Sequence, residues 1–75
     1  GTDVTGLVAP DPVKNQVIFL TNIGVKTITL KNNDSGSIAV NRFNIKNNQD
    51  LGDSDSALIV YDGNELRWRI VSAYL

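Results

Sequence analysis

The chain has 75 residues, with 7 basic and 8 acidic side chains for a net charge of −1, and no histidine, cysteine or methionine. A domain of this length has a marginal core, and without cysteine neither disulfides nor thiolate metal sites can reinforce it, which leaves association with partner chains. A hydrophobic share of 41% is too high for a disordered chain, while the balanced charge offers no basic footprint for nucleic acid or anionic lipid.

The N-terminal residues 4–8 read as a weak first strand or an arm, after which Pro10, Asp11 and Pro12 break the chain. Residues 1–15 are therefore expected to be an arm or linker leading into a single β domain over 16–75. Gln16-Val17-Ile18-Phe19-Leu20-Thr21 is rich in β-branched and aromatic residues and reads as a strand buried on both faces. Its run of four apolar residues is far short of the roughly 20 that a membrane helix needs. Asn22-Ile23-Gly24 is a turn signal. Residues 25–32 alternate Ile28 and Leu30 against Thr27, Thr29 and Lys31, the pattern of a half-buried strand. The two strands are expected to form an antiparallel hairpin.

Residues 32–37 are all turn formers. Residues 38–45 are expected to make a third strand, and residues 46–55 a polar loop with Leu51 plugged onto the core. Ala57-Leu58-Ile59-Val60-Tyr61 is another strand, closed by a hairpin at Asp62-Gly63-Asn64-Glu65. In the last strand Leu66, Trp68, Ile70 and Ser72 point one way and Arg67, Arg69, Val71 and Ala73 the other. No window supports a helix longer than a turn. The sum is an all-β domain of five to six strands, a small antiparallel sandwich, jelly-roll-like sheet pair or barrel. The opening Gly1-Thr2 without methionine reads as a piece of a longer protein, and the strand-like ending at Leu75 suits that protein's C-terminal end.

Chemistry is sparse. Without His and Cys, nucleophilic triads and His-zinc sites are excluded. The eight carboxylates fall almost wholly in loops, unlike a pair facing across a cleft, so no enzyme, catalytic residue or cofactor is expected. Asp50, Asp53 and Asp55 read as a solvated acidic loop, with a structural Ca²⁺ or Mg²⁺ as the alternative. Asn33-Asp34-Ser35 fits the glycosylation sequon, a short motif of little weight. Trp68 between Arg67 and Arg69 reads as core flanked by an interface face, or as a sugar-stacking platform if exposed. Arg42, beside Phe43, needs a partner if buried, and Asp62 or Glu65 are the expected ones.

Several stretches together resemble a small β-rich C-terminal domain of bacteriophage tail-fibre, tailspike and head-fibre proteins. They are Val17-Ile18-Phe19-Leu20-Thr21-Asn22-Ile23-Gly24, Thr27-Ile28-Thr29-Leu30-Lys31-Asn32-Asn33, Asn41-Arg42-Phe43, Ser56-Ala57-Leu58-Ile59-Val60-Tyr61-Asp62-Gly63 and Arg67-Trp68-Arg69-Ile70-Val71. Gly52-Asp53-Ser54-Asp55 departs from the pattern, where a Pro-Gly is usual. The resemblance implies a virion structural protein, extracellular when attached to its host, and a homotrimer. Its expected role is trimerisation or fibre capping. The alternative is a receptor-binding tip for host surface glycan using residues 33–37 and 47–55, with Tyr61 or Trp68 if exposed. Each subunit's core is expected from Val17/Phe19, Leu58/Val60 and Trp68/Ile70. Arg42, Tyr61, Arg67, Trp68, Arg69 and Tyr74 are the candidate interface or receptor residues. A single-stranded nucleic-acid binder is the weakest reading, since it wants a basic groove, and no membrane insertion is expected.

Overall fold

In a computed structural model covering residues 1–75, six strands form two three-stranded sheets. They are β1 (Thr2–Val4), β2 (Gln16–Thr21), β3 (Ile28–Leu30), β4 (Gln49–Leu51), β5 (Ser56–Asp62) and β6 (Arg67–Tyr74), with one 3-10 turn at Ala39–Asn41. The chain is mostly β, as its periodicity implied, and no helix is long and apolar enough to cross a membrane. The first sheet has the order β1-β3-β4, and β1 runs parallel to β3. The second has the order β2-β5-β6 and is antiparallel throughout.

The two sheets share one core. Leu30 and Leu51 come from the first sheet, Ala57, Ile59, Tyr61 and Trp68 from the second, and Phe43 from the segment between. Period-2 alternation explains β5, where Ala57, Ile59 and Tyr61 point inward. Opposite them on β6 stand Ala73, Ile70 and Trp68. The spacing from 70 to 73 is odd because Val71 is an extra residue in a bulge between the pairs Leu58/Ser72 and Ile59/Ile70. The bulge breaks the strict alternation expected along β6. Tyr61 and Trp68 meet edge to face with ring centroids 4.9 Å apart.

The expected hairpin between β2 and the following strand is not formed, because the two lie in different sheets. β2 instead matches β5 over six consecutive pairs from Gln16/Tyr61 to Thr21/Ser56, while β3 is only three residues long. Asn22 turns the chain from one sheet to the other. Its side-chain Nδ2 donates to the carbonyls of Lys26 and Leu51, and its Oδ1 accepts from the Gly24 N–H. Its backbone is bonded to Asp55 and Ser54.

Residues 38–45 are not a continuous strand either. Residues 39–41 wind into the 3-10 turn, which offers the Val40 carbonyl to the Tyr61 hydroxyl at 2.8 Å. The loop expected over 46–55 contains β4, and Leu51 is indeed buried there. The first fifteen residues are fastened to the domain. β1 pairs with β3, the Leu7 and Ala9 N–H groups donate to the Asn41 carbonyl and side chain, and the Trp68 indole N–H donates to the Leu7 carbonyl at 2.8 Å.

Candidate functional site: the outer face of the second sheet

Strand β2 reads as apolar on both sides because it is. Ile18 and Leu20 face the core, while Val17 and Phe19 face outward, 64% and 62% exposed. Cross-strand register carries the outward set across the sheet. Val17 lies opposite Val60 and then Arg69, Phe19 opposite Leu58 and then Ser72, and Thr21 opposite Ser56 and then Tyr74. Val71, at the bulge, is exposed as well. The Phe19 and Tyr74 rings stack at 6.2 Å across this surface. The expectation that Val17/Phe19 and Leu58/Val60 build the subunit core is thus overturned. The core takes the alternate residues of the same strands, and the expected set forms an external apolar face.

Such a face is informative. Scattered exposed apolar residues are ordinary, but a contiguous patch marks an interaction surface. Here the apolar residues sit together in the middle of the outer side of a sheet whose other side makes the core, with Thr21, Ser56 and Ser72 among them and charge at the hairpin end. Only 8 of the 75 residues are buried, so the subunit core is small even for its length.

Charge on the face collects at the hairpin end. The Arg69 Nε donates to Asp62 Oδ2 at 2.9 Å. Asp62 Oδ1 meanwhile accepts from the Asn64 and Glu65 N–H groups and so caps the β5–β6 turn. The Glu65 N–H, the Arg69 guanidinium and the Asn64 N–H hold the Asp62 carboxyl below the usual carboxylate range, in that order of importance. The hairpin forms where Asp62-Gly63 predicted it, but the left-handed residue is Leu66, φ 58°, not Gly63. The Leu66 N–H reaches back to the Asp62 carbonyl and closes a wider loop.

The six candidate residues divide between surface and core. Arg69 and Tyr74 are exposed and Arg67 is half-buried, all on the outer face. Trp68, 2% exposed, and Tyr61 are core, so neither offers a ring to a ligand. Burial pushes the Tyr61 hydroxyl above its usual range. Arg42 lies apart from this face, and its Nε donates to the Ser37 carbonyl at 2.8 Å. Asp62 is held by Arg69 instead, so the expected Arg42–carboxylate pair is replaced by a backbone acceptor. Val17, Phe19, Leu58 and Val60 stand on the outer face and not in the core that their sequence pattern predicts. Their signal was the evenly apolar composition of β2, which fits an interface-facing strand as well as a doubly buried one.

Elsewhere the polar loops are occupied with their own turns. Asp50 accepts from the Thr29 hydroxyl, Asp53 from the Ser54 hydroxyl and Asp55 from the Gly52 N–H. No three acidic, His or Cys side chains gather as metal ligands, and the surface has no pocket. No protein-family model, curated protein or solved structure matches the chain.

Proposed function

We propose that this chain is a non-catalytic assembly module, a C-terminal trimerisation or capping domain of a phage fibre or related virion appendage. The observation that carries the reading is the contiguous apolar face of Val17, Phe19, Leu58, Val60, Val71 and Tyr74 outside a core of few buried residues. Burying that face against copies of the same chain supplies the apolar burial the subunit lacks. The two sheets on one core are best taken as a small sandwich, with the face as its outer side. The phage setting and the three-fold count come from the sequence resemblance. Glycan recognition is the weaker reading, because the two aromatic residues nominated for it, Tyr61 and Trp68, are buried.

Phe19→Asp tests the reading directly. Phe19 is 62% exposed on the side of β2 turned away from the core, so the β spectrum should persist while the assembled mass falls to that of one chain. A variant that keeps the wild-type mass would count against the face as the interface.

A further inference from the structure

Strand edges in this fold are protected unequally. β1 and β4, the edges of the first sheet, are each three residues long and carry Asp3 and Asp50, and short, charged edges resist further pairing. On β6 the edge is covered at Trp68, whose N–H donates to the Arg42 carbonyl and whose carbonyl accepts from the Asn44 N–H. Beyond Trp68, residues 70–74 bond only to β5. β2 has none of the usual protection. It is six residues long, unbulged in its ladder, free of charge and proline, and makes no backbone hydrogen bond outside that ladder.

The direction of the free groups follows from the register. Both backbone groups of Trp68 turn away from β5, so those of its partner Tyr61 turn toward β2. Gln16, Ile18 and Leu20 therefore bond to β5, in phase with the Asn22 N–H on the Asp55 carbonyl. The N–H and C=O groups of Val17, Phe19 and Thr21 point out of the open edge. By the same alternation Ile70, and Ala73 beyond the bulge, present theirs at the uncovered half of β6. The open edge thus belongs to the very residues whose side chains form the apolar face.

We propose that copies of this chain join by continuing the second sheet: β2 of one copy pairs with residues 70–74 of β6 in the next. The proposal rests on the assembly reading above and names its mode. β2 and β6 both run antiparallel to β5 and hence parallel to each other, so the joint between copies is a parallel one. Neither segment carries a charged side chain, so no like charges meet. The contact is heterologous, and such contacts close into a ring when the rotation from copy to copy closes, and otherwise run on as a filament. Three copies of the three-stranded sheet give nine strands, close to the roughly eight-stranded barrel whose interior side chains just fill. The face of Phe19, Leu58 and Tyr74 then lines the interior. A two-fold β2–β2 joint would leave both β6 edges open.

Residue-resolved amide hydrogen exchange on the full chain, assembled and diluted to the monomer, tests this. The expected result is that Val17, Phe19 and Thr21 exchange freely in the monomer and about a hundredfold or more slower in the assembly, together with Ile70 and Ala73. Protection of the β2 amides with Ile70 and Ala73 still free would replace the proposed joint with a two-fold one. An assembly in which all five stay free would overturn sheet continuation and leave face packing standing. A chain that is monomeric at every concentration would overturn both.

Discussion

Among the residues with polar or charged side chains such as Asn, Asp, Lys or Arg, Asn22 alone is buried. Its amide makes three hydrogen bonds, and its backbone makes two more. Truncation to alanine leaves the carbonyls of Lys26 and Leu51 without their donor, one of them in the core. Asn22→Ala should therefore cost about 2–4 kcal/mol, read as a lowered urea midpoint at an unchanged slope. A loss below about 0.5 kcal/mol would mean that water replaces these bonds. In the sequence, Asn22 is visible only as part of a turn signal, because Asn22-Ile23-Gly24 reads alike whether it reverses a hairpin or moves the chain between sheets. Trp68 is easier to read. Its place on a face with Leu66 and Ile70 predicts burial, and its indole N–H finds the Leu7 carbonyl, 61 residues away in sequence, a partner that no local pattern specifies.

At the scale of elements, the β5–β6 hairpin is the most legible part of the chain, and Asp62 explains its chemistry. Its carboxylate caps the turn and holds Arg69. Because its folded pKa is lowered, its contribution is present above the unfolded value, about 3.9, and is lost as pH falls through the lowered one. Acid should thus loosen this hairpin below about pH 4, and Asp62→Asn should flatten stability against pH over that window. An unchanged acid profile in the variant would contradict the assignment. Arg69 is a poorer probe of assembly than Phe19, because a charge reversal there also sets Glu beside Asp62. β2 and β5 were located by their composition, yet the choice of face was not. An evenly apolar strand gives no period to say which side is core, and that is decided by β5, whose inward residues alternate cleanly. β1 and β4 escaped because three-residue strands are too short to show any period, and both are held by pairing to β3.

For the whole molecule, an all-β chain with few buried residues leaves the apolar outer face of one sheet open to solvent. The sequence foreshadowed this through length, missing cysteine and a core too small for comfort, but the face itself appears only once the register is known. In the proposed assembly this face is covered by copies of the same chain. The most direct test is the solution mass of the purified chain by light scattering after size exclusion. The expected mass is three times the 8.2 kDa of one chain, falling to one chain with Phe19→Asp. A monomer at millimolar concentration would contradict it.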